Sequence, residues 1–300
     1  MNQKDIHISV FADERKRIDN RWDYIGLLII PTLFLEEILV TLIDCRICVN
    51  YNHELKFSAL NSSGTGEKKE LADKWIDIFI DDAKYSPDRL YFKAFGVDTD
   101  NLNYSFFSDE GSSHGTYATI YNRFFRTALH GSLKYFFPNK NIIVDQIIHD
   151  NEGHLQNHGY FDWHTIWKLQ EIENVIKFNC NNVLFVDSDH NYEMKYSDLS
   201  HFIQLVDVIL GAISYCLHFT NPRNKSQYLI AKKMLPLVKR IILNPDNKNS
   251  SYGYYRKYDI CHFPHKPISN YDGTILQGRI YRYWSACFEE DCSGQMRLNI

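Results

Sequence analysis

Three aspartates sit where this sequence would concentrate chemistry. Asp13 follows an apolar run at residues 6–12, Asp145 closes another at 141–145, and Asp207 lies midway through a long apolar stretch at 196–215. Asp187 repeats the strand-ending pattern after residues 183–186. Acids brought together without compensating bases repel one another and raise each other's pKa, which opposes folding. A divalent cation removes that conflict, and an all-oxygen ligand set suits Mg2+ or Mn2+. Two such ions about 3.5 to 4 Å apart stabilise both the attacking and the leaving oxygen in a displacement at phosphorus. One acid from the first strand, one from a middle strand and one from the last long helix thus form a plan for phosphodiester hydrolysis.

The elements that must position these acids can be read from periodicity. Leu199, Ile203, Val206, Leu210, Ile213 and Leu217 recur at steps of three and four, and Phe202, Leu205, Val208, Ile209 and Ala212 cover most of the remaining faces. A helix apolar all round is buried by other elements, so Asp207 is expected in the interior, with Gln204 and Gly211 one turn before and after it on the same side. Residues 6–12 and 22–31 read as two strands joined by a short polar link, an antiparallel hairpin. A helix follows near 33–43, a short strand or extended segment at 54–60, a Ser- and Gly-rich loop at 61–66 and an amphipathic helix at 67–82. Residues 89–97 read as a strand, 98–115 as a polar loop, 117–137 as a helix, and 162–176 as a helix capped by Asp162. Strands alternating with helices after an opening hairpin indicate a mixed α/β sheet with helices on its faces. Its site is expected beyond the carboxyl ends of the parallel strands.

The chain divides by charge. Residues 1–220 hold 20 Lys+Arg against 31 Asp+Glu, whereas 221–300 hold 13 against 6 and carry eight tyrosines. This predicts a body over 1–220 and a basic, aromatic C-terminal extension over 221–300, with a helix near 225–242 and a turn-rich tail, suited either to tracking a nucleic-acid backbone or to packing as a Tyr-rich segment whose charges complement the acidic body. The sequence shows no uncharged apolar run of membrane-spanning length and no signal-peptide core near residue 1, which points to the cytoplasm and away from a membrane. The seven cysteines, an odd number at irregular spacing, agree with a reducing compartment. Residues 62–68 do not match the phosphate-binding Gly-Lys-Ser/Thr loop, and Gly-x-Ser-x-Gly is absent, so nucleotide-triphosphatase and serine-hydrolase readings lose ground.

Taken in order, Phe11-Ala-Asp-Glu14, Glu54-Leu-Lys-Phe-Ser58, Ile142-Ile-Val-Asp145, Val186-Asp-Ser188 and Ile203-Gln-Leu-Val-Asp207 with Gly211 resemble the signature of the prokaryotic domain of unknown function 3800 family. That family is similar to RNase H-like nucleases. The resemblance covers residues 5–218 and implies an RNase H-like mixed sheet. It also implies Asp13, Glu54, Asp145 and Asp207 as metal ligands, Lys56 placed to meet phosphate or balance charge, and Gln204 beside them. Glu14, Asp187 and Ser188 stand as supporting or strand-end residues. Arg15-Lys16 occupy the place where the family has Ser-Gly, which removes an easy left-handed turn next to Asp13.

Other constellations compete. Cys45 and Cys48 have half of a zinc spacing inside an apolar helix and are expected as core thiols. Cys261, His262, His265, Cys287 and Cys292 offer an irregular zinc set in the tail, and His149, His154, His158 and His164 read as a solvated, His-rich loop. The expectation is a Mg2+- or Mn2+-dependent nuclease acting on DNA or RNA. The alternatives are a non-catalytic nucleic-acid-binding or partner module of a defence or mobile-element system, and a phosphoesterase acting on a nucleotide. A protein partner is a further expectation.

Overall fold

The computed structural model describes residues 4–18, 21–85, 88–102, 113–151, 164–218, 223–243 and 257–263. Two long strands open it, β1 (Asp5–Ile18) and β2 (Trp22–Pro31), paired antiparallel from Ile8↔Pro31 to Ile18↔Trp22. The sequence predicts a polar link at 15–21. Instead β1 runs on through Ile18, because alternate residues Trp22, Tyr24 and Ile18 are buried and repay the extra ladder. Helices α1 (Leu35–Val49) and α2 (Glu67–Tyr85) follow, then β3 (Tyr91–Asp98), antiparallel to β2 and buried at every position.

After α3 (Ser113–Phe136), β4 (Asn141–Asp150) returns parallel to β1. Two short helices, α4 (His164–Trp167) and α5 (Leu169–Ile172), stand where one continuous helix is expected. Strands β5 (Ile176–Phe178) and β6 (Leu184–Val186) share the outer edge of β4, pairing with its first and last thirds. The organising helix is α6 (Ser197–His218), followed by α7 (Lys225–Leu243) and β7 (Tyr258–Phe263), which lies parallel to β3. The sheet order is β5-β4-β1-β2-β3-β7, with β6 also on β4. It is a mixed α/β sheet, an antiparallel meander followed by parallel strands and flanked by helices, as the RNase H-like expectation requires.

Each sheet face carries one apolar core. The front face packs against α6, α1, α2 and α7, using Phe11, Leu28, Phe92 and Ile148 from the strands. The back face packs against α3 and the two short helices, using Val10, Ala12, Leu27, Phe95 and Ile147. By length and composition Met194–His218 would suffice to cross a membrane, yet its apolar window is 89% buried inside this protein, so its apolarity serves the core. Gly26 decides how closely α6 approaches: a Cβ there would lie 3.0 Å from Val206 and 3.1 Å from Leu210. Gly26 is also the cross-strand partner of Asp13. The missing side chain therefore lets α6 settle next to the strand pair that carries Asp13.

The described part of residues 221–300 is not a separate appendage. Ile230, Met234 and Val238 of α7 belong to the front core, and β7 extends the sheet. Asn224 caps α7 by accepting from the Gln227 N–H at 3.1 Å. The same turn braces the loop before α2: Asn224 donates to the Leu60 carbonyl (2.7 Å) and Gln227 to the Phe57 carbonyl (3.0 Å). The sequence hides this because strand pairing across more than 160 residues leaves no local signal. Residues 264–300, which hold much of the expected basic tail, lie outside the described residues.

Candidate active site

Asp13 lies on β1 with 7% of its surface exposed, and Asp207 comes from α6 on the same front face with 16% of its side chain exposed. The third acid is Asp150, at the carboxyl end of β4, not Asp145. Asp13 is pushed well above the usual carboxylate range, first by burial and then by the charges of Asp207, Asp150 and Glu14. Asp150 is raised to about 6, mainly by burial, with Asp207 adding to the rise and Lys56 and His149 opposing it. Asp207 is raised by burial against the pull of Arg15, the Phe57 N–H and Lys56, while Glu54 adds a further upward push. Three buried or partly buried acids from three elements thus resist one another's ionisation.

A β-bulge takes Asp145, expected at the site, out of it. The ladder between β1 and β4 runs Ile8↔Val144 and then Ser9↔Gln146, skipping Asp145. Before the bulge the even-numbered Ile142 and Val144 face the back core. After it Ile147 faces the back and Ile148 the front. One extra residue exchanges the faces of everything beyond it, which brings Asp150 to the front. Asp145 stays about 16 Å away along the strand, accepting from His7 Nδ1 (3.0 Å), Thr32 Oγ1 (2.8 Å) and Asn179 Nδ2 (2.8 Å). Burial would raise its pKa, but those three donors outweigh it and hold it low. A second apolar run ending on an acid, Ile147-Ile148-His149-Asp150, was the available signal.

Glu54 and Lys56 reach the cluster from an extended segment that is not part of the sheet. Its backbone is held by helix side chains: the Leu55 N–H donates to Gln204 Oε1 (2.9 Å) and the Phe57 N–H to Asp207 Oδ2 (2.6 Å). Residues two apart on the segment thereby meet residues three apart on α6. Leu55 and Phe57 turn into the core, so Glu54 and Lys56 turn outward. Gly211 makes this possible, since a Cβ there would overlap the Phe57 ring. Lys56 Nζ lies 2.8 Å from Glu54 Oε1, which also accepts from Ser188 Oγ at 2.5 Å. Burial works against the Lys56 charge, but Glu54, Asp150 and Asp207 outweigh it and push its pKa up.

Gln204 is a structural junction. Its oxygen also accepts from Arg46, its nitrogen donates to the Ser188 carbonyl at 2.5 Å, and it is fully buried. Arg46 in turn donates to the carbonyls of Tyr51 (3.3 Å) and His53 (2.8 Å), fixing the chain that leads to Glu54. Asp187 accepts from the Asp189 N–H (2.8 Å) and its carbonyl from Ser200 Oγ (2.7 Å), ordering the turn into α6.

Glu14 points the other way, into the back core. Lys16 Nζ lies 2.8 Å from one of its oxygens and His149 Nε2 3.3 Å from the other. These are ion contacts without hydrogen-bond alignment, because neither oxygen has a hydrogen-bond partner. Burial would raise Glu14, yet His149 and Lys16 outweigh it and bring it down to about 2. His149 is fully buried, with the Tyr121 hydroxyl 2.5 Å from its Nε2. It is therefore a core residue rather than part of a solvated loop. His154 and His158 lie outside the described residues, as does the side chain of His164.

Cys45 is half-buried and Cys48 exposed, so the pair are not core thiols. Cys261 packs in the back core while the neighbouring His262 turns to the opposite side and meets Tyr24 Oη at 2.7 Å. Adjacent strand residues facing opposite ways cannot share one ion. His265, Cys287 and Cys292 lie outside the described residues.

Among the described residues, no three His, Cys, Asp or Glu side chains already enclose a common point as a metal cage. The chemistry of the cluster is still of the type a hard divalent cation takes: its side chains offer carboxylate oxygens alone, and the acids are close enough to raise one another's pKa. A cavity of about 840 Å³ opens at the other end of the strands, lined by residues including His7, Phe34, Lys134 and Phe137 and by none of the clustered acids. The clustered acids and this hollow therefore lie at opposite ends of the sheet. Compared with known proteins, the chain matches no family model, no curated protein and no solved structure.

Proposed function

We propose that the protein is a cytoplasmic Mg2+- or Mn2+-dependent nuclease with Asp13, Asp150 and Asp207 as metal-holding acids. Glu54 stands at the rim of the site. The observation that carries this reading is the convergence of Asp13, Asp150 and Asp207 on one sheet face, each pushed upward from the usual carboxylate value. A purely structural cluster would cost stability for no return. The antiparallel meander followed by parallel strands supports the resemblance to the domain of unknown function 3800 family and to RNase H-like nucleases.

When bound, divalent ions would stabilise charge on the attacking and leaving oxygens of a phosphodiester. The chain's own groups would do the rest. Asp13, Asp150 and Asp207 present oxygens from two strands and a helix, and the Phe57 N–H fixes the rotation of Asp207. Lys56, 43% exposed, stands beside Glu54 where it can meet a backbone phosphate.

The test is cleavage of labelled DNA and RNA, single- and double-stranded, with Mg2+, Mn2+ or EDTA, by the full chain and by Asp207→Asn. Metal-dependent cutting lost in the folded variant supports the reading. Absence of cutting in every condition favours a second one, a non-catalytic nucleic-acid-binding or partner module. One observation speaks for that second reading: Arg15 and Lys56 already offset part of the cluster's charge.

A further inference from the structure

Arg15 occupies a position that the carboxylate cluster alone does not explain. It follows Asp13 by two residues on β1, so it shares the front face. Its guanidinium lies 3.8 Å from Asp207 Oδ1 and 5.3 Å from the centre of the Phe57 ring. The other oxygen of Asp207, Oδ2, is held by the Phe57 N–H at 2.6 Å. Oδ1 is thus the oxygen of Asp207 left more open to a cation, and Arg15 faces it. The separation is too long for a forked hydrogen-bonded pair, while the aromatic ring supports the guanidinium from the side. Only 19% of the Arg15 side chain is exposed. Such a group is tethered near the acid without being locked to it.

We infer that Arg15 is an internal counter-cation that competes with the divalent ion for Asp207 and thereby sets the metal affinity of the site. This rests on the metal-dependent reading above. It also gives a physical reason why the acids lie close together without forming a closed cage: the guanidinium stands in part of the space a metal would take. Lys56 does not duplicate the role, because its ammonium sits 2.8 Å from Glu54. With metal absent, Arg15 offsets charge that would otherwise oppose folding. With metal bound, the guanidinium gives up Oδ1 and remains over Phe57.

The experiment is a Mn2+ titration of the full chain, following free Mn2+ by electron paramagnetic resonance, for wild type, Arg15→Gln, Arg15→Lys, Asp207→Asn and the Arg15→Gln/Asp207→Asn double variant. Removing a competing ion pair of this partly exposed kind is expected to tighten the dissociation constant about fivefold. Lysine cannot stack on the ring as arginine does, so Arg15→Lys should fall between wild type and Arg15→Gln. In the Asp207→Asn background the gain should vanish. A parallel thermal melt should show metal-free Arg15→Gln melting below wild type and a larger Mn2+-induced rise.

Equal or weaker Mn2+ binding in Arg15→Gln overturns the proposal while leaving the metal reading intact. An undiminished gain without Asp207 also overturns it, since the effect would then be a general change of field. No Mn2+ binding in any folded variant overturns both. Should Arg15→Gln fail to fold, Arg15→Lys carries the test, and affinity no tighter than wild type refutes the proposal.

Discussion

Asp13 and Glu14 are neighbours in sequence and so are His149 and Asp150, yet the sheet sends one of each pair to the front and one to the back. Burial opposes ionisation on both faces. On the back, Glu14 meets Lys16 and His149 and falls to about 2. On the front, Asp13 meets Asp207 and Asp150 and rises, and Asp150 reaches about 6. What separates a stabilising buried acid from a poised one is therefore not depth but the sign of its neighbours. A strand one side chain thick is enough to keep the two environments apart.

Activity should separate the two faces most sharply. Asp13→Asn or Asp207→Asn should lower metal-dependent cleavage by about 10²- to 10³-fold, the scale of losing one transition-state stabiliser, with circular dichroism unchanged. Glu14→Ala should do the reverse, acting on stability. Leaving the buried His149, and beside it the part-exposed Lys16, without their carboxylate should cost about 3 kcal/mol, the low end for breaking a buried pair, read as a lower urea midpoint. A loss below about 1 kcal/mol would show that the back face is not the stabilising one.

The two faces should also respond oppositely to pH. A carboxyl raised from 3.8 to about 6 binds its proton more tightly in the folded state. Asp150 therefore costs stability as pH rises through that window, and Asp13 and Asp207 act in the same direction. Glu14, lowered from 4.5 to about 2, contributes stability that is complete above 4.5 and lost as pH falls toward 2. In EDTA, Asp150→Asn should flatten the pH dependence between 4 and 6 and stabilise the protein at pH 7 by about 2 to 3 kcal/mol. Urea titrations at half-unit steps from pH 2 to 7 read both effects, Glu14 below pH 4.5 and Asp150 between 4 and 6. The smallest change expected is from Gly26→Ala. It should press on Val206 and Leu210 and cost about 1 kcal/mol, the low end for overpacking, while weakening Mn2+ binding by displacing α6 from the front face.

Much of this arrangement was legible in the residues. The apolar helix around Asp207, the opening hairpin and the acid after its first apolar run are strong local signals, and their order carried Asp13, Glu54 and Asp207 into one site. Gly211 reads from sequence as a place of close approach, and the approach is made by Phe57. Asp150 was hidden because the uninterrupted apolar run at 142–144 already ends on an acid, Asp145, and nothing in the run marks the bulge that carries the strand on to Asp150. The contribution of α7 and β7 was hidden because charge balance reports affinity, not packing. Gln204, which looks like a site residue by its place one turn from Asp207, instead joins α1, the 54–57 segment and the turn before α6.

The bulge at Asp145 gives β4 a spare letter in its reading frame. A chain lacking that residue would pair Val144 and Gln146 with Ile8 and Ser9 in unbroken succession and still turn Asp150 toward Asp13, losing only the three side-chain bonds that Asp145 accepts. The spacing between the first and second acids is thus free to differ by one residue without moving either of them in space, so a fixed count along the chain is a poor ruler for this site.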